Sequence, residues 1–118
     1  ADLSVYRATA RQRQQEAQAG LAAFRRRALD LARVAPELLR HAYGVDRVLL
    51  FGSMARSEGP ISLRSDVDLA VSGLAPERYF AAVGRLQGLD AEIAVDLLRI
   101  EDLPDRLRVI VERDGVEL

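Results

Sequence analysis

Asp66 and Asp68 stand two residues apart in the stretch SDVDLAV, and twelve residues separate Asp66 from the Gly52-Ser53 pair that precedes it. On a strand, residues two apart share a face, so both carboxylates would lie side by side, about 6–7 Å apart along the chain. Acids at that spacing can share one or two Mg²⁺ ions, which require oxygen ligands and keep phosphate oxygens in their shell. Taken alone, an Asp-x-Asp pair is more often the exposed polar face of a strand.

Asp96 adds to the pattern. It interrupts the apolar run IAVDLL, where a carboxylate is costly to bury unless it is hydrogen-bonded, paired or bound to a cation. If its strand lies beside the strand of Asp66 and Asp68, Asp96 can serve as a third ligand. Gly52 and Ser53 could supply what acids cannot. A glycine between a strand and a helix lets a phosphate approach the backbone, and a helix start presents unsatisfied N–H groups. Ser53 alone reads equally as an N-cap, and Arg56, one helical turn on, as a solvated side chain or a phosphate contact. Together these residues place anion donors beside a carboxylate triad, the arrangement of two-metal phosphoryl transfer.

The elements that must position them follow from periodicity. Val5 to Arg33 contains no proline and reads as a helix whose first half, RATARQRQQEAQ, is polar all round and solvated or waiting for a partner. Leu21, Phe24, Ala28, Leu31, Ala35, Leu38 and Ala42 form one apolar stripe. Pro36 either opens a second helix, Pro36–Tyr43, or kinks a single long one, and Gly44 is the stop. Asp46–Gly52 is predicted as a buried strand, Ser53–Glu58 as a short helix, GPISLRS as a loop and Asp66–Gly73 as a second strand. A helix from near Pro76 to Gly88 follows, with Tyr79, Phe80, Val83 and Leu86 as its packing residues. AEIAVDLLRI is a third strand, and a last helix opened by Pro104 and closed by Gly115 leads to VEL, a candidate edge strand. The expectation is an α/β (α+β) fold: a small mixed sheet with flanking helices, one compact domain with a helical extension over 1–43 and a core over 44–118.

Composition narrows the function. The 118 residues contain no cysteine and no lysine, all 17 basic residues being arginine. Disulfides, thiolate chemistry, Schiff bases and a phosphate-loop lysine are thereby excluded. No apolar run approaches the roughly 18–20 residues of a membrane span, and no leader-like segment opens the chain, so a cytoplasmic protein is expected. Residues 1–40 carry eight arginines and four acids (+4); residues 41–118 carry nine arginines and fourteen acids (−5). The acidic balance of the second part disfavours nucleic acid as a direct ligand and suits a divalent cation. His41, the sole histidine, suits a helix C-terminus. Arg25-Arg26-Arg27 reads as a solvated face or a contact for an acidic partner or for RNA. Tyr6 is an exposed hydroxyl without an assigned role.

LLFGSMAR, SDVDLAV and AVDLL, in this order, resemble the nucleotidyltransferase core of the DNA polymerase β superfamily. The likeness is strongest to the minimal nucleotidyltransferases (MNT), small prokaryotic proteins often paired with a helical HEPN partner in toxin–antitoxin systems. It covers roughly Tyr43 to Leu118 and leaves the arginine- and glutamine-rich residues 1–33 outside. The resemblance implies that Gly52, Ser53, Arg56 and Ser65 bind the nucleotide. It also implies that Asp66 and Asp68 coordinate two Mg²⁺ ions, and that Asp96 completes the metal site and helps deprotonate the acceptor. The implied reaction transfers a nucleoside monophosphate from ATP or another NTP to a hydroxyl, with release of pyrophosphate. Two departures fall in the phosphate loop: its length, about two residues longer than is usual in these proteins, and Ser57 where they usually carry glycine.

Within this resemblance, the expected function is Mg²⁺-dependent transfer, of AMP in the first instance, to a HEPN-type partner protein. A small-molecule acceptor has no visible pocket in the sequence. The competing expectation is a catalytically silent antitoxin that neutralises its partner by direct contact. Self-association is left open by the sequence.

Overall fold

The computed structural model describes residues 3–55 and 66–118, without the side chains of Ser53 and Met54. Arg56, Ser57, Ser65 and the GPISLRS loop lie outside the described residues.

Leu3–Tyr43 forms one helix of 41 residues, α1, with Pro36 inside it. No second helix begins at Pro36. Proline there removes one hydrogen bond to the preceding turn, but Pro36 is itself buried, between Leu31, Ala32 and Ala35 on one side and Leu39 and Tyr43 on the other. Apolar burial on both sides holds the helix through the defect. The stripe runs through Phe24, Ala28, Leu31 and Ala35 as predicted, then centres on Leu39 and Tyr43, with Leu38 and Ala42 only partly buried. Gly44 ends the helix at a φ of 66°, its N–H donating to Arg40 at 3.1 Å, an αL cap open to glycine without strain.

Four strands follow: β1 (Arg47–Phe51), β2 (Val67–Ser72), β3 (Val95–Arg99) and β4 (Val116–Glu117). Their spatial order is β3-β2-β1-β4, with β1 antiparallel to both β2 and β4, and β2 parallel to β3. The third strand is shorter than predicted, because residues 90–94 form a turn that leads into it. Helices α2 (Tyr79–Gln87) and α3 (Asp105–Asp114) flank the sheet. A 3₁₀ turn over Pro76–Arg78 precedes α2.

The sheet is covered unequally on its two faces. Val48, Leu50, Val67, Leu69, Val71 and Leu97 pack with the second half of α1 and with Ala82 and Leu86 of α2 in the main core. Leu49 and Ala70 join Ile100 and Val111 in a smaller cluster on the other face. Burial at roughly 25 cal/mol per Å² of apolar surface is the main stabilising term here. The core is continuous across the boundary at Tyr43, because α1 supplies one wall of it. Among the described residues, no helix is long and apolar enough to cross a membrane.

Phe80 departs from the predicted packing role. It is 85% exposed and meets Tyr79 edge-on. Tyr79 does pack, and its hydroxyl donates to the Leu97 carbonyl at 2.6 Å. The 3₁₀ turn sets the phase of α2 so that Ala82 and Leu86 face the core, which turns Phe80 outward.

Candidate active site

β2 and β3 are parallel and in register, with Val67 opposite Val95 and Asp68 opposite Asp96. Register partners on neighbouring strands project to the same face, with backbones about 4.8 Å apart. The condition set for Asp96 is therefore met: its strand is the neighbour of β2, and the pairing continues to the Val67 N–H, which donates to Ala94 at 2.9 Å. Asp66 lies immediately before β2 and is exposed, as is Asp96, whereas Asp68 is half-buried. Asp96 thus escapes the burial cost expected in an apolar strand, and its importance lies in the register.

On the other side of Asp68 lies β1, with Phe51 as the register partner and Gly52 directly after it. Gly52 has a φ of 74°, and a Cβ at this position would collide with the Asp68 carboxylate. The chain thus needs glycine here twice, for its left-handed backbone and for its close approach to an acid. Gly52–Ala55 is a 3₁₀ turn; the remainder of the predicted Ser53–Glu58 helix lies outside the described residues, with Arg56. A single such turn aligns few peptide dipoles, so its exposed N–H groups, more than a macrodipole, are what it offers an anion.

The electrostatics agree with the geometry. Asp68 is pushed up to about 6 from 3.8, first by burial and then by the negative charges of Asp96 and Asp66. Like charges gathered in one place resist ionisation, and a bound cation would relieve that resistance. The donor set fits Mg²⁺ in kind: Asp66, Asp68 and Asp96 offer carboxylate oxygen, the chain has no thiolate, and its single histidine, His41, lies on α1. Among the described residues, however, no group of three acids or histidines is close enough to hold a metal ion as it stands. Closure around an ion therefore requires movement of carboxylate side chains.

Two residues that position the site carry no motif. Gln87, near the end of α2, donates to the Ile93 carbonyl at 2.9 Å and accepts from the Val95 N–H at 3.1 Å. It pins the chain directly before Asp96. Arg27 of α1 binds Asp90 at 2.7 Å and Glu92 at 2.9 Å, so this member of the arginine run tethers the same turn instead of standing free in solvent. Periodicity reveals neither residue, since both act through polar contacts distant in sequence.

A cleft of about 490 Å³ opens beside Gly52, lined by Phe51, Gly52, Ala55, Ile110, Val111 and Asp114. It lies between the 3₁₀ turn and the end of α3.

No family model and no curated protein matches the chain. Solved structures do. The toxin–antitoxin pair MntA–HpeT, in a mutant with two aspartates changed to glutamate, matches with a TM-score of 0.59 and 20% identity, over 72% of this chain and 69% of that one. At such identity the likeness concerns the fold alone. A minimal nucleotidyltransferase structure matches with a TM-score of 0.57 and 31% identity, over 83% of this chain and 95% of that one. With that identity over nearly the whole of the second structure, and the same polymerase β-type fold in both, the chain belongs to the minimal nucleotidyltransferase family.

Proposed function

We propose that the protein is a Mg²⁺-dependent nucleotidyltransferase that moves a nucleoside monophosphate, AMP in the first instance, from an NTP to a hydroxyl of a partner protein. The observation that carries this reading is the register of Asp68 with Asp96, one strand from Gly52. It brings Asp66, Asp68, Asp96 and the Gly52 turn to one end of the sheet, which supports the reading. Asp66 and Asp68 would hold two Mg²⁺ ions, with Asp96 completing the set. Bound Mg²⁺ would offset charge on the phosphates and on the leaving group. Gly52 would admit the triphosphate to the backbone. Asp96, exposed on the edge strand β3, would accept the proton of the attacking hydroxyl. The acceptor oxygen forms its bond to the α-phosphorus as the bond from that phosphorus to the β-phosphate bridging oxygen breaks, and pyrophosphate departs with the electron pair.

The structural likeness to an antitoxin and the exposed first half of α1 support a HEPN-type helical toxin as the partner, in the cytoplasm. The test uses extract of the source cells, Mg²⁺ and ATP labelled at either the α- or the γ-phosphate. Label passing from α but not γ to a discrete protein, and absent with Asp66→Asn/Asp68→Asn, is the expected result. Label from neither position refutes the enzyme.

One observation favours a second reading, a binding antitoxin that acts by contact. The carboxylates are not gathered into a closed metal-binding group among the described residues. Under that reading the Asp66→Asn/Asp68→Asn protein still neutralises its partner.

A further inference from the structure

The cleft beside Gly52 shares only that glycine with the chemistry above. At about 490 Å³ it falls within the roughly 300–1,000 Å³ of small-molecule sites. Among the described residues its walls combine the apolar side chains of Phe51, Ala55, Ile110 and Val111 with polar surface at Gly52 and Asp114. Arg113 holds that carboxylate through its Nε at 2.9 Å and its Nη2 at 3.2 Å. Each oxygen keeps a further lone pair with which to accept. Arg113 also holds Asp114 below the usual carboxylate range, so it is an acceptor at neutral pH.

Strand order decides which substrate the cleft can serve. Asp96, Asp68 and Phe51 lie in a row across β3, β2 and β1. With neighbouring strands about 4.8 Å apart, the cleft begins one strand beyond Asp68, on the side away from Asp96. An acceptor that gives its proton to Asp96 arrives from the open β3 edge, so the cleft lies on the donor side. Asp114 repels phosphate from its end, which directs the triphosphate toward the carboxylate-bound cations and leaves the cleft to the uncharged part of the nucleotide. Apolar side chains beside an ionised acceptor suit a flat ring that carries N–H donors.

Resting on the nucleotidyltransferase reading, we infer that this cleft holds the nucleoside of the donor nucleotide, with an amino-bearing purine against Ala55, Ile110 and Val111 and its N–H or ribose hydroxyl donating to Asp114. The nucleoside and the acceptor then occupy opposite sides of Asp68, and recognition of the donor is separate from access of the partner.

The experiment measures calorimetric binding of ATP and of inorganic tripolyphosphate, each with Mg²⁺, to the full chain and to Ile110→Trp, which fills the cleft. The expected result is roughly tenfold or greater weakening for ATP and none for tripolyphosphate. Weakening of neither ligand, or of both alike, overturns the placement of the nucleoside while the enzyme reading stands. Failure of both ligands to bind the unaltered protein overturns the enzyme reading and this inference together. A measurement on the unaltered protein guards against misfolding of the variant: millimolar adenosine should shift the methyl NMR signals of Ala55, Ile110 and Val111. No shift at these methyls overturns the inference.

Discussion

Asp68 and Asp96 are register partners across the parallel β2–β3 pair, although 27 positions of chain, a helix and a turn lie between them. A slip of one residue in either strand would send one carboxylate into the main core beside Leu69 or Leu97. The site therefore depends on whatever fixes that register, namely the alternation of buried aliphatics and the Gln87 clamp before Val95.

The raised pKa of Asp68 has a consequence for stability. Its folded value, about 6, exceeds the ordinary 3.8. The folded protein keeps this proton where the unfolded chain has lost it, so the contribution is present in full below pH 3.8 and is lost as pH rises through about 6. At neutral pH, Asp68→Asn should stabilise the apoprotein by about 1 kcal/mol after discounting for solvent screening, or about 4 °C in Tm. Saturating Mg²⁺ should reverse the ranking by stabilising the unaltered protein alone. Melting curves at several pH values, with and without Mg²⁺, check both signs.

Asp96→Asn should not lower Tm, since the side chain is exposed and its charge opposes ionisation of Asp68, yet it should lower transfer by about 10²–10⁴-fold if Asp96 takes the acceptor proton and ligates the metal. Equal loss of stability and activity would mean that Asp96 is structural.

Gly52→Ala should cost about 1–3 kcal/mol, from a left-handed φ and from the collision of its Cβ with Asp68. Urea denaturation gives the cost, and a value near zero would show that the turn relaxes. Tripolyphosphate binding should weaken in the same variant, because the backbone approach is blocked.

Leu39→Ala should cost about 2–5 kcal/mol, as Leu39 is fully buried in the core that α1 shares with the sheet. Leu3→Ala, on the exposed first half of the same helix, should change stability by less than about 0.5 kcal/mol. A small effect at Leu39 would make α1 an appendage from end to end.

Chemistry-bearing residues were the most legible part of the sequence. Asp66, Asp68 and Asp96 could be singled out because acids in aliphatic strands conflict with simple burial, and conflicts of this kind mark sites. Strand and helix order was legible from apolar periodicity, with Gly44 and Gly52 as stops. Pro36 misled in one of its two readings, because burial of the surrounding α1 residues outweighs the hydrogen bond it removes. Phe80 misled because its hydrophobicity was read as burial, while helix phase turned it outward. Arg27 was visible only as part of an arginine run and Gln87 not at all, since a long-range polar clamp has no period.

The sequence by itself determined which groups are available: carboxylates without thiols or lysines, on strands whose alternation puts Asp66 and Asp68 on one face. Those are local properties of residue type and backbone repeat, and they survive any arrangement of the strands. Only the tertiary structure decided that β3 lies parallel beside β2 in the register that pairs Asp96 with Asp68, that Gly52 closes on the same carboxylate, and that α3 leaves a cleft beside it. These follow from how the sheet buries its aliphatic face against α1 and α2, a choice made by the whole chain at once, to which no short stretch is privy.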